Sequence, residues 1–486
     1  MPLGDYVTIY CLLFLLIPFW RLYAPAGFVL LDCIRIEAGL AKSPRSHLPR
    51  RTEVSYLLAM SSILQNHLAR RKQGIAAGIY SVCSAHPWVI RAAAEQAVED
   101  QSLLLIEATS NQVNQFGGYT GMRPEDFRRF VFASVESAGM DPERLILGGD
   151  HLGPNPWRTL PAEEAMSHGT AMVAEYVSAG FAKIHLDASM ACDGDPAQLS
   201  DEVVARRTVQ LCKAAEAAKA AGNSPMYVIG TEVPVPGGAT HAVTELRPTS
   251  VQAAAHTLAI HKQAFLEEGL SDAWSRVIAL VVQPGVEFDH DGVVNYDRHN
   301  AAMLKNWLLE QGENIVFEAH STDYQLPCAY TELVEDGFAI LKVGPALTFA
   351  MREALEALED IESQLLPPSQ RSWLGETLER VMLAEPEYWL PYYPGTPAEQ
   401  QLLRRYSYSD RIRYYWNQPE VSAAVTRLIG NLASLRIPES MLSRYMPEQY
   451  LRRRKKQLAG GPESLIVDRI RDVLRQYAAA CKAGAL

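Results

Sequence analysis

The sequence predicts an α/β protein, a TIM (β/α)8 barrel with a C-terminal helical extension. Three observations predict it. Short apolar or β-rich runs alternate with longer helical stretches, eight such runs occur between Gly78 and Met351, and nearly every run ends in polar or glycine residues. A doubly wound sheet is the alternative. It would gather its polar residues at one switch point, and no G-x-G-x-x-G or G-x-x-x-x-G-K-[ST] loop follows the first strand.

The strand runs are GIYSVCS from Gly78, LLLIEAT from Leu103, RLILGGDH from Arg144, AKIHLDAS from Ala182, MYVIGTEV from Met226, VIALVVQPG from Val277, NIVFEAHS from Asn314 and AILKVGP from Ala339. Helical stretches are expected at Pro87–Asp100, Pro124–Ala138, Ala162–Ala179, Ser200–Ala221, Thr249–Glu268, Arg298–Gln311 and Tyr330–Asp336. After Met351 the alternation stops, so the barrel is placed at 60–351 and a helical, aromatic-rich extension at 352–486.

Residues 1–59 differ from the rest. Val7–Trp20 is an apolar run of about 14 residues broken by Pro18, short of the roughly 20 that a spanning helix needs. The charge before it is Asp5 and no small-residue cleavage pattern follows, so it is not a secretory signal; basic residues come afterwards, from Arg21 to Arg51. A membrane anchor is one reading. The other is a true start at Met60, where SSILQNHLARRKQG opens a helix with Ile63, Leu64 and Leu68 on one face, leaving 1–59 as a leader outside the fold.

The chain has 486 residues, 48% hydrophobic and 21% charged, which excludes disorder for most of it. Forty-five Lys+Arg against 56 Asp+Glu give a net charge of -11, so no global positive field holds a nucleic acid or an anionic membrane, and neither is expected as a partner. Seven cysteines without a C-x-x-C pair signal neither a disulfide framework nor a thiolate zinc site, and point to a reducing, cytoplasmic compartment.

The chemistry belongs on the strand ends. The second strand gives Glu107, Asn111 and Gln112, whose carboxamides suit a hydroxyl-rich ligand because each both donates and accepts. The third ends in Asp150 and His151, the fourth in His185 and Asp187, the fifth in Glu232, the sixth in Gln283, and the seventh in Glu318, His320 and Asp323. Because barrel strand ends face one mouth, His151 and His320 are read together as ligands of one divalent cation such as Zn²⁺. Lys342, Gly344 and Thr348 join the last strand to the next helix, either as a helix-start phosphate site or as a plain turn.

The strings GIYSVCSAHP, IEATSNQVNQFGGYTGM, LGGDHLGPNPW, GFAKIHLDASM, VIGTEVPVPGG, VVQPGVEFDH, EAHSTDYQ, LKVGPALTFAMREAL and YSYSDRIRYYW resemble the GatZ/KbaZ family, the Z subunits of tagatose-1,6-bisphosphate aldolase. The resemblance runs from about Met60 to near the C-terminus. It implies a barrel related to class II ketose-bisphosphate aldolases, in which Asp150 corresponds to a proton-transferring carboxylate and His151 and His320 to zinc ligands. The third class II histidine has no counterpart, so Glu232 or Gln283 would complete a metal set. The resemblance also implies a role as the partner needed for full activity and stability of a catalytic Y subunit. An older label for such proteins, tagatose-6-phosphate kinase, finds no phosphate loop here.

Two functions follow. One is that supporting subunit, in galactitol, tagatose or N-acetylgalactosamine breakdown; for it, the aromatic run Tyr406–Trp416 is either an interface or internal packing. The other is a metal-dependent 4-epimerase acting on tagatose 6-phosphate and fructose 6-phosphate, with Asp150 as base and Glu232 as its rival. Glu107, Asn111, Gln112, His185, Asp187, Lys342, Gly344 and Thr348 are the candidate substrate-binding residues in either case.

Overall fold

The computed structural model describes residues 62–220, 223–231 and 246–481. The leader 1–59, the start at Met60 and Glu232 lie outside the described residues.

Eight parallel strands form the closed barrel: β1 Ile79–Val82, β2 Leu104–Thr109, β3 Leu145–Leu152, β4 Lys183–Leu186, β5 Met226–Ile229 and β6 Val277–Val281, then, after a two-stranded antiparallel hairpin (β7 Glu287–Phe288, β8 Val293–Val294), β9 Val316–Ala319 and β10 Phe338–Val343, which pairs with β1. The runs read from the sequence supply all eight barrel strands. The hairpin was not foreseen, since two residues are too few to show a period of two.

Helices cover the barrel: α1 (62–69), α2 Pro87–Asp100, α3 Pro124–Ser137, α4 Ala162–Ser178, α5 Asp201–Ala218, α6 Val251–Glu267, α7 Ser271–Trp274, α8 Ala302–Glu310, α9 Pro327–Glu335 and α10 Pro345–Leu365. Proline in the first turn of α2, α3, α9 and α10 fixes φ where no N–H is needed. Helix α10 runs through the division expected at 351, because its apolar face continues unbroken from Leu347 to Ile361.

The barrel interior has two halves. At its N-terminal end Ile79, Leu105, Ile146, Met226, Ile278 and Ile340 form an apolar plug, closed from below by Leu64 and Leu68 of α1. Burying each such side chain contributes about 1.5–3 kcal/mol. Toward the C-terminal ends the inward side chains become charged, and the site begins there.

Beyond α10 come α11 Leu374–Ala384, α12 Pro397–Tyr406, α13 Pro419–Ala433, α14 Glu439–Tyr445, α15 Pro447–Arg454 and α16 Pro462–Cys481. Helix α16 lies against α2, α9 and α10, and its Tyr477 hydroxyl donates to the Thr322 carbonyl at 2.9 Å, tying the extension to the loop after β9. The aromatic run between α12 and α13 packs on the barrel mouth. Tyr408 N–H donates to the His290 carbonyl at 2.8 Å, and Asp410 accepts from Thr348 Oγ1 at 2.6 Å and Arg352 Nε at 3.0 Å. Among the described residues no helix is long and apolar enough to cross a membrane.

Candidate functional site

Adjacent residues of a strand point to opposite faces, yet Asp150 and His151 are both buried at the mouth. A break in the β3–β4 register between Gly149 and Leu152, with His151 at φ +50°, turns both inward. Such left-handed backbone in a non-glycine residue is strained, and Ser321, directly after His320, repeats it at φ +53°. The result is a triangle of imidazoles: the His151 ring centre lies 5.1 Å from His185 and 4.9 Å from His320, and those two are 5.3 Å apart.

Beneath them lies a buried ionic layer from five strands. Lys183 Nζ lies 2.5 Å from Glu107 Oε1 and 2.7 Å from Glu318 Oε2, while Lys342 Nζ contacts Glu107 and lies 2.9 Å from Asp150 Oδ1. Counting Asp187, carboxylates outnumber ammonium groups here, so the layer carries excess negative charge.

Electrostatics divide the two neighbours. Burial alone would raise the Asp150 carboxyl, but His151, His185 and His320 around it hold it far below the usual carboxylate range. Burial would lower His151, but Asp150 and Asp187 outweigh it and push the imidazole up to about 9; its Nδ1 lies 2.8 Å from Asp187 Oδ2. His320 stays below its ordinary value through burial, which favours the neutral, ligating form.

Asp150, His185, Glu318 and His320 bring ligand atoms within 4.8 Å of one another. His185 Nδ1 lies 2.9 Å from Asp150 Oδ1, and His320 Nε2 lies 3.0 Å from Glu318 Oε1. Ligands of a tetrahedral zinc ion at ~2.1 Å are roughly 3–3.5 Å apart, so these spacings fit a cation. His185 Nε2 is buried with no hydrogen-bond partner, a further sign that the donor set is compatible with a divalent metal. The same oxygens face Lys342 Nζ, at 2.9 Å from Asp150 Oδ1 and 3.6 Å from Glu318 Oε1, so the ammonium competes for them.

The expected ligands are placed as follows. His320 is in the donor group. His151 borders it, its Nε2 3.7 Å from Asp150 Oδ2. Gln283 is not brought into it: its Oε1 accepts from the N–H groups of Gly285 and Val286 and so shapes its own turn. His185, expected to touch substrate, and Glu318, seen at a strand end but given no role, complete the group with Asp150.

Of the expected substrate contacts, Glu107 is spent on both lysines, and Asp187 orients His151 while accepting from Ser189. Gln112 bridges Thr109 N–H and the Cys83 carbonyl. The amides of Gly344 and Ala346 at the α10 start already donate to Asp323 Oδ1, at 3.0 and 2.9 Å. Asn111, Gln112, Gly344 and Thr348 do share one cavity of about 90 Å³ with other residues of the barrel loops, and the extension adds Arg413, Tyr414, Trp416 and Asn417 to its lining. Cys83 joins this cavity to the donor group, with Sγ 3.8 Å from Asp150 Oδ2. Lys183 and Arg413 carry no local sequence signal for a site; barrel closure and packing of the extension bring them in.

A closed parallel barrel with imidazole and carboxylate donors gathered at its C-terminal mouth defines a (β/α)8 protein whose site is compatible with a divalent metal. Residues 64–482 match the family described as D-tagatose-1,6-bisphosphate aldolase subunit GatZ/KbaZ-like, and the chain belongs to this family. It is similar to the crystal structure of a probable tagatose 6-phosphate kinase from Sinorhizobium meliloti 1021, with 48% identity, 83% of this chain and 100% of the other covered, and a TM-score of 0.77. More distant are the YdjI aldolase of Escherichia coli K12, at 11% identity, 60% and 84% coverage and TM-score 0.38, and a Campylobacter jejuni fructose-bisphosphate aldolase, at 13%, 77% and 92%, and 0.39. Likenesses of that size add nothing to the fold read from the strand pairing.

Proposed function

We propose that this chain is the Z-type subunit of a tagatose-1,6-bisphosphate aldolase, required for full activity and stability of a catalytic Y-type partner in galactitol, tagatose or N-acetylgalactosamine breakdown. The observation that carries this reading is the family match over residues 64–482. The barrel mouth supports a sugar-phosphate ligand. Asp150 stays ionised and is oriented by His185 and Lys342, while His151 is protonated at neutral pH and held by Asp187. Asp150, His185, Glu318 and His320 would hold a divalent cation, which when bound polarises the sugar's carbonyl and hydroxyl oxygens. The test is to add the purified chain to a Y-type subunit and follow cleavage of tagatose 1,6-bisphosphate. Faster cleavage and slower loss of activity support the reading, and an unaltered Y subunit removes it.

One observation favours a second reading. The donor group, which includes Asp150, and the His151 imidazole beside it are all supplied by one chain, as an activity of this chain alone at a sugar stereocentre requires. In this reading the chain alone interconverts tagatose 6-phosphate and fructose 6-phosphate at C4. NMR of the full chain with tagatose 6-phosphate, with and without a chelator, tests it: chelator-sensitive appearance of fructose 6-phosphate supports it, and no conversion excludes it.

A further inference from the structure

The start of α10 is the obvious place for a phosphate, but its first two available amides are already spent on Asp323. The anionic end of a ligand therefore needs another partner, and the extension provides one. Arg413 lines the cavity between the first and last barrel strands. Its NH1 donates to the carbonyls of Ser409 and Asp410, and its NH2 lies 3.3 Å from the Tyr414 hydroxyl. These bonds hold the guanidinium in place without neutralising it.

No carboxylate of the described residues forms an ion pair with Arg413. Arg352 pairs with Asp410 and Arg404 with Glu379, whereas Arg411, which also has no ion pair among the described residues, stacks over the Tyr392 ring. Against the cost of burial, the Tyr414 and Tyr119 hydroxyls and Asp410 help to keep the half-buried guanidinium charged, but no carboxylate oxygen of the described residues lies within ion-pair distance of it, so it faces the polar cavity as a cation that an anion can join. The cavity, at about 90 Å³, exceeds several-fold the roughly 10–15 Å³ needed by one water, so a compact anion fits where an apolar ligand would desolvate the charge. Asn111, Asn417 and Ser84, which also line the cavity, offer donors to its remaining oxygens.

We infer that Arg413 is the anion-binding residue of the site and that it takes the phosphate monoester of the ligand, so that the C-terminal extension, rather than the α10 start, sets preference for phosphorylated sugars. This rests on the reading of the mouth as a sugar-phosphate site. Cys83, which borders both the cavity and Asp150, puts the anion next to the donor group.

Calorimetric titration of the full chain with inorganic phosphate, tagatose 6-phosphate and tagatose tests this, with metal content measured in parallel. Arg413→Gln is expected to weaken phosphate and tagatose 6-phosphate binding at least tenfold and to leave tagatose binding and metal content unchanged, while Arg413→Lys recovers part of the loss. Asn417→Asp, at an exposed position, places a carboxylate in the cavity without touching the Arg413 bonds and should weaken the same two ligands. Unchanged phosphate binding in Arg413→Gln and Asn417→Asp overturns the inference, as does equal weakening of tagatose. If phosphate binds through Arg413 in a chain that neither supports a Y subunit nor converts tagatose 6-phosphate, the inference stands and the functional reading falls.

Discussion

Asp150 and His151 are consecutive in one strand, yet both face the mouth, with His151 Nε2 3.7 Å from Asp150 Oδ2. The positive φ at His151 makes this possible, and it couples backbone strain to the electrostatic pairing of a depressed carboxyl with a raised imidazole. His151→Asn, which tolerates left-handed backbone, should keep the fold. His151→Val should cost about 1–2 kcal/mol more than His151→Asn, because a β-branched residue there is strained. Paired thermal melts read the difference.

His185 is expected to be a stronger determinant of cation binding than Gln283. His185→Gln should lower zinc affinity at least tenfold in competition with a chromophoric chelator, whereas Gln283→Ala should change it less than twofold. Equal losses would contradict the donor group drawn above.

Lys342 holds the carboxylate oxygens that a cation would use. Lys342→Met should therefore tighten divalent-metal binding by about tenfold or more. It should also destabilise the metal-free protein by about 3–5 kcal/mol, because Glu107 and Asp150 lose a buried partner. Added metal should restore much of that stability, as read from melting temperature against metal concentration.

Stability should fall with rising pH through Glu287. Burial of this carboxyl pushes its pKa up from 4.5 to about 7, against the Phe288 N–H and Ser321 hydrogen bonds, with Asp323 and Asp289 adding to the rise. A folded-state value above the unfolded one means that the contribution is complete below about pH 4.5 and is lost as pH rises through about 7. The loss is on the order of 3 kcal/mol. Glu287→Gln should flatten that part of the stability profile, and a wild-type slope in the variant would exclude this account.

Much of the fold was legible because each barrel strand is a short, doubly buried run bounded by polar residues, and each helix keeps its apolar period. The site was only partly legible. Strict alternation gives no warning that Asp150 and His151 face the same way, since the break in register that turns them is a three-dimensional feature. Lys183, inside AKIHLD, reads as an ordinary strand residue until barrel closure sets it between Glu107 and Glu318. The Lys342–Thr348 turn reads as a helix-start anion site, but Asp323, some twenty residues upstream, fills its amides. Arg413 lies far along the chain, and only packing of the extension brings it to the mouth.

In the proposed function this chain supports a catalytic partner through a sugar-phosphate-binding barrel. The most direct measurement is the rate and persistence of tagatose 1,6-bisphosphate cleavage by a purified Y-type subunit, alone and with one equivalent of this chain. The mixture should show a several-fold higher rate and a longer active lifetime. Identical rates and lifetimes, with both proteins folded at micromolar concentration, would contradict it.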